Sequence, residues 1–183
     1  MFKLVTSNEN KLNEFKRFGL NIVIEKGLDL KEVNGTDLEV IVHKAKDAGT
    51  GMIVEDTSLN IEGESVGVNV RWLLDNLHTY AGKKASWVVL IGLNDGESVR
   101  VFKGKINGVI TNKETSMNGF GFDSLFIPEG SDKTLYELEN EGLKDDFSAR
   151  KLAIDKLVLG EYFHRIESVQ SLRIRWQCVE QIV

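Results

Sequence analysis

Only one cysteine, Cys178, and one proline, Pro128, occur in this chain of 183 residues. A single thiol permits no intrachain disulfide, which fits a reducing compartment. A single proline rules out a proline-rich linker, and no internal repeat or low-complexity tract marks a domain boundary. No apolar run approaches the roughly 20 residues of a membrane span. The N-terminal stretch turns polar at Thr6-Ser7-Asn8, too early for a secretory leader. Basic residues are in the minority: 23 Lys and Arg against 28 Asp and Glu give a formal net charge of −5. That makes the chain a poor candidate for sequence-independent nucleic-acid binding, which needs a basic surface. A local lysine cluster can still take a small anion. The three histidines, His43, His78 and His164, lack metal-ligand spacing, and neither a Cys–His nor a Ser–His–Asp pattern is present. The expectation is a soluble cytoplasmic protein with no membrane or nucleic-acid partner.

What is present is ordinary for a folded domain: 42% hydrophobic and 28% charged residues. Residues 2–6 read as a buried strand. A helix follows with Leu12, Phe15 and Phe18 at helical spacing and Gly19 as its stop. Residues 20–25 read as a second strand. Thr36 and Glu39 form a capping-box pattern ahead of a helix bearing Leu38, Ile41, Val42, Ala45 and Ala48, closed by Gly49. Residues 52–56 read as a buried strand and 69–78 as a helix. Asn94-Asp95-Gly96 between 86–93 and 97–103 signals a hairpin, and 105–111 a further strand. Residues 119–127 read as loop plus strand, and Ser148 caps a helix through Leu159. This order predicts an α/β fold with a mixed sheet. Residues 161–183 fit neither helix nor strand by pattern and read as an edge strand, a partner contact or a loose tail.

Four places carry candidate chemistry. Thr6-Ser7-Asn8-Glu9-Asn10-Lys11 joins a strand to a helix, where backbone N–H groups attract anions and Lys11 can reach back to a phosphate. The same residues also serve as an ordinary N-cap through Ser7 or Asn8. Glu55-Asp56 ends a buried strand, where carboxylates of α/β sheets meet ligands and can hold Mg²⁺. Glu32, in the loop before residue 37, is a candidate second ligand, and the acid pair equally reads as the start of a solvated turn. Gly119-Phe120-Gly121-Phe122-Asp123 offers aromatic faces for a base and a carboxylate for its edge, or else a core aromatic pair. Lys144 with Ser148-Ala149-Arg150 places cations near a helix start, against the macrodipole, or else on a solvated charged face.

Taken in order, these motifs resemble the inosine triphosphate pyrophosphatase family. The match runs from Thr6-Ser7-Asn8-Glu9-Asn10-Lys11 through Glu32-Val33-Asn34-Gly35 and Val54-Glu55-Asp56-Thr57-Ser58. It continues at Phe102-Lys103-Gly104, Gly119-Phe120-Gly121-Phe122-Asp123 and Ser148-Ala149-Arg150, covering roughly residues 2–160. The resemblance implies an elongated mixed β-sheet flanked by helices, in two lobes with a nucleotide cleft between them, and a homodimer. It implies Mg²⁺-dependent hydrolysis of non-standard purine nucleoside triphosphates (ITP, dITP, XTP) to the monophosphate and pyrophosphate, which sanitises the nucleotide pool. By it Asp56, Glu55 and Lys11 are catalytic, and Glu32 and Asp56 hold the metal. Thr6, Ser7, Asn8 and Lys11 bind the triphosphate, with Lys44 and Arg71 near the phosphates and base. Phe120, Phe122 and Asp123 hold the base and sugar, and Lys144, Ser148 and Arg150 close the base pocket.

The chain departs from the family pattern in several places. Ala149 stands where the family's closing motif has histidine, a base-contacting residue there. Gly67 lacks the family's preceding proline, the stretch at 75–86 is short, and 161–183 has no counterpart. The expectation is a pyrophosphatase domain at 1–160 with a C-terminal extension at 161–183. The alternatives are a pyrophosphatase of shifted base specificity and a catalytically silent nucleotide-binding protein.

Overall fold

In the computed structural model, residues 1–25, 30, 34–62, 64–67, 70–111 and 121–167 are described. The apolar run at the N-terminus forms strand β1 (Phe2–Val5), with Leu4 and Val5 buried. Polar residues break it, and helix α1 (Glu9–Arg17) follows with Leu12 and Phe15 turned inward. Strand β2 (Ile22–Glu25) lies parallel to β1, with Phe2 opposite Ile22. Helix α2 (Asp37–Ala48) begins in a complete capping box: Thr36 Oγ1 accepts from the Glu39 amide while Glu39 accepts from the Thr36 amide. The Thr36 amide and hydroxyl hold the Glu39 carboxyl below its ordinary value. The helix buries Ile41, Val42, Ala45 and Ala48 and stops at Gly49. Strand β3 (Met52–Ile61) then returns parallel to β1, with Lys3 opposite Met52.

The remaining strands complete a mixed sheet. Strand β4 (Glu64–Gly67) folds back antiparallel on β3. Strands β5 (Lys84–Asn94) and β6 (Ser98–Ile110) flank the expected hairpin. In its turn, Asp95 Oδ1 accepts from the amides of Glu97 and Ser98. Strand β7 (Phe126–Pro128) pairs antiparallel with the far end of β6. Among the described residues the path order is β2-β1-β3-β5-β6-β7, with β4 on β3.

Some expectations need correction. The strand expected at 52–56 runs on to Ile61, so Glu55 and Asp56 lie inside β3 and not at its end. Residues 97–103 and 105–111 are not two strands: β6 runs unbroken from Ser98 to Ile110 through Gly104. A Cβ at Gly104 would lie 1.8 Å from the Ala149 carbonyl oxygen and 2.8 Å from the Ala153 nitrogen, so the glycine marks a backbone-to-backbone seam and not a break. The helix expected at 69–78 is two short ones, α3 (Val70–Asp75) and α4 (Leu77–Tyr80), divided where the Asn76 side chain donates to the Trp72 carbonyl. Helix α5 (Leu135–Asn140) was not anticipated, although Thr134 and Glu137 repeat the capping box of α2. Residues 144–147 form a 3-10 turn before helix α6 (Ala149–Leu159). Within the segment 161–183, strand β8 (His164–Glu167) pairs antiparallel with β6, with Val101 opposite His164, which agrees with the edge-strand reading of this segment.

The chain divides into two compact units. One comprises Met1–Asp56, Leu90–Lys103 and the chain from Ile154, with Leu4, Phe15, Ile41, Ile53 and Ile91 in its core. The other comprises Thr57–Val89 and Gly104–Ala153, with Leu59, Leu73, Ile110, Leu125 and Phe126 in its core.

Candidate active site

In the first unit the chain leaves β1 through α1 to β2 on one side. It returns through α2 to β3 on the other. Ligands of open α/β sheets bind at the carboxyl ends of strands where connections diverge in this way. A groove of about 820 Å³ lies at that point, with Thr6, Ser7, Asn8 and Lys11 on its wall. The local fold shapes this wall. Thr6 Oγ1 accepts from the Asn8 amide at 3.1 Å, and Asn8 Oδ1 accepts from the amides of Asn10 and Lys11. Asn8 is therefore the N-cap of α1, which satisfies two of the amides a helix start leaves open.

Glu55 and Asp56 are consecutive in β3, so their side chains leave opposite faces of the strand. Each meets a lysine from a different helix. Lys11 Nζ of α1 stands 2.6 Å from Glu55 Oε2, and Lys44 Nζ of α2 stands 2.6 Å from Asp56 Oδ1. The Glu55 side chain is only 2% exposed, whereas Asp56 is 25% exposed. Glu32, the other candidate metal ligand, lies outside the described residues. Among the described residues no cluster of three or more His, Cys, Asp or Glu side chains can hold a metal alone. Mg²⁺ does not require such a cage, because it takes one or two carboxylates and completes its shell with substrate phosphates and water. Because Glu55 and Asp56 leave opposite faces of β3, they do not converge on one cation, and Asp56, the more exposed of the two, is the hard oxygen donor that fits such a partial shell.

The second unit holds a different charged cluster. Lys144 Nζ lies 2.6 Å from Asp123 Oδ2 with side chains 4% and 7% exposed, and Glu139 stands 3.9 Å from the same nitrogen. Ser148 Oγ accepts from the Lys151 amide, so it caps α6 as its residue type predicts. Arg150 is fully buried and donates to Thr57 Oγ1 at 3.2 Å. Phe122 is buried too, edge-on to Trp87 at 5.9 Å and to Phe126 at 6.4 Å. Phe120 lies outside the described residues. Arg71 is exposed on α3. Sequence reasoning did not single out Thr57, Glu139 or Trp87. Thr57 directly follows Asp56 and could have been found there, whereas Glu139 carries no local signal.

Comparison with known proteins points the same way. The model of the Ham1 family matches residues 2–159. An inosine triphosphate pyrophosphatase of Scheffersomyces stipitis is 34% identical over 183 aligned residues, covering 84% of this chain and 93% of that protein. A dITP/XTP pyrophosphatase of Korarchaeum cryptofilum is 31% identical, covering 83% of this chain and 91% of its own. Among solved structures, the Ham1 protein of Staphylococcus aureus superposes with a TM-score of 0.67 at 26% identity, covering 85% of this chain and 95% of that one. The Ham1 protein of Coxiella burnetii gives a TM-score of 0.66 at 23% identity, covering 88% and 100%, a likeness of fold.

Proposed function

The chain belongs to the Ham1 family, and from that membership we propose that it hydrolyses non-standard purine nucleoside triphosphates (ITP, dITP and XTP) to the monophosphate and pyrophosphate. The observation that carries this reading is the groove beyond β1, lined by Thr6, Ser7, Lys11, Lys44 and Glu55, with Lys44 paired to Asp56 of β3. Water is consumed and the anhydride between the α- and β-phosphates breaks. A bound Mg²⁺ supplies charge neutralisation for the departing pyrophosphate. Lys11 and Lys44 hold the phosphate oxygens, and Thr6, Ser7 and the capped start of α1 orient them. Asp56, with Glu32, presents the oxygens that would hold the cation, and a carboxylate near Asp56 takes the proton of the attacking water. In the second unit, Phe120, Phe122, Asp123, Lys144 and Arg150 serve the base, with Arg71 beside it.

A second reading, shifted base choice, is favoured by Ala149, which is fully buried where the family's motif has histidine. A site lacking one buried donor loses discrimination more readily than chemistry. We further propose that residues 1–160 form the catalytic domain and 161–183 an extension, and that the protein works as a cytoplasmic homodimer with a nucleotide as its ligand. Among the described residues no helix is long and apolar enough to cross a membrane.

The test is pyrophosphate release with Mg²⁺ from ITP, dITP, XTP and the four standard triphosphates. The expected result is release from ITP or XTP well above ATP and GTP, falling by about 100-fold or more in Asp56→Asn. Release only from another base relocates the specificity. No release from any of them, with binding intact, makes the silent nucleotide binder the better account.

A further inference from the structure

We propose that the indole N–H of Trp87 is a specificity-determining donor, which favours purines carrying an oxygen where adenine carries its amino group. The inference deepens the reading that the second unit takes the base, and rests on it. Trp87 is 3% exposed and stands in β5 just before the aliphatic run Val88-Val89-Leu90-Ile91. Its Nε1 is buried and has no hydrogen-bond partner among the described residues. An indole nitrogen is a donor only. A buried donor left unpaired costs free energy that a phenylalanine in the same place would not. Phe122, edge-on at 5.9 Å, offers at most a weak N–H···π contact. The strand therefore carries a polar atom for which the chain itself supplies no acceptor.

This atom lies among the residues proposed above for the base. Phe122 directly precedes Asp123, whose carboxylate Lys144 holds at 2.6 Å. Asp95 N donates to the Ser98 carbonyl at one end of the β5–β6 pair, and Ile110 N donates to the Lys83 carbonyl at the other. A constant register between these ends puts Val89 beside Gly104. Trp87, two residues from Val89, thus projects from the sheet face on which Gly104 meets Ala149. Ala149 is fully buried there and contributes a methyl group and no side-chain donor. Trp87 is the neutral donor on a wall that otherwise offers an aromatic edge, a methyl group and an ion pair. A keto oxygen at C6, as in hypoxanthine, xanthine and guanine, accepts from it. The C6 amino group of adenine sets a donor against a donor and leaves the indole unpaired in a dry place. The device separates adenine from the oxopurines and does not separate hypoxanthine from guanine.

The test is Trp87→Phe, assayed by pyrophosphate release with Mg²⁺. The ITP/ATP ratio of kcat/KM should fall by about tenfold, the worth of one neutral hydrogen bond. The ITP/GTP ratio should stay within about twofold, because both bases carry the same oxygen. A merely structural role for the indole would lower all three substrates together and leave both ratios unmoved. A second measurement needs no change at Trp87. In wild-type protein labelled with ¹⁵N at its three tryptophans, the Trp87 indole signal is assigned by elimination with Trp72→Phe and Trp176→Phe. It should move downfield with IMP, as the N–H gains an acceptor, and not with purine riboside 5′-monophosphate, which lacks the C6 oxygen. An ITP/ATP ratio that does not move, or an indole signal that responds equally to both monophosphates, overturns the donor role and leaves the triphosphate reading in place. A wild type that releases pyrophosphate from none of these triphosphates overturns that reading too.

Discussion

The Lys44–Asp56 pair in the first unit and the Lys144–Asp123 pair in the second have the same chemistry and the same 2.6 Å separation. They differ in their access to water. The first pair, with Lys44 on the groove wall, has about a fifth to a quarter of each side chain exposed, whereas the second is almost wholly dry. Water lowers the cost of separating charges, so the first pair can exchange partners when a ligand arrives. In the second, separation would strand charges in a low-dielectric setting, so the pair behaves as a fixed strut between the turn after Phe122 and the 3-10 turn before α6. The pair with water beside it can be opened at low cost, and the dry pair cannot.

The comparison breaks most decisively at Asp123. Asp123→Ala takes from the buried Lys144 ammonium the carboxylate 2.6 Å away, while Glu139 stands at 3.9 Å. The expected cost is about 3 kcal/mol in urea unfolding. A loss below about 1 kcal/mol would mean that the two pairs are energetically alike. Lys44→Gln sharpens the contrast from the other side. Its stability should fall by less than about 1 kcal/mol, while turnover of the preferred triphosphate drops by about tenfold or more. The smallest effect belongs to Asp95 in the hairpin turn, which serves as a baseline away from both clusters. Burial pushes its carboxyl upward, but the Ser98 amide and hydroxyl, the Glu97 amide and Arg100 outweigh that and hold it below its ordinary value. A carboxyl depressed on folding stabilises the protein above its unfolded value and ceases to do so as the pH falls through the folded one. Asp95→Asn should therefore cost about half a kcal/mol near neutral pH. Its unfolding curve should approach that of the wild type below about pH 4.

What could be read in advance was local. β1, α1, β2, α2 and the hairpin turn announce themselves through apolar spacing, Thr36 with Glu39, and Asn94-Asp95-Gly96, all within a few residues. The capping box at Thr134 and Glu137 is the same signal. It escaped notice because α5 is six residues long and buries only Leu135 and Leu138, too short a stretch to establish a period. β6 was divided at Gly104 because a glycine in a strand looks like a stop, and the reason it is there, the backbone of α6, lies far along the chain. β8 depends on Ser98–Val101 for its partner, so its own four residues carry little evidence. The site shows the same division. Asn8 and Ser148 are legible as caps from residue type alone. The pairings of Lys11 with Glu55, Lys44 with Asp56 and Arg150 with Thr57 join distant parts of the chain, and no local pattern encodes them.

Gly104 has one more consequence. Because α6 is seated on β6 with no side chain between them, the strand acts as a jig, and the first turn of the helix takes its height from bare peptide. Ser148 and Arg150 inherit that height. A single methyl group at position 104 would be a shim under the turn, tilting the Arg150 guanidinium relative to Thr57 while every residue around it kept its identity. The placement of Arg150 against Thr57 is thus written partly in a residue that has no side chain of its own.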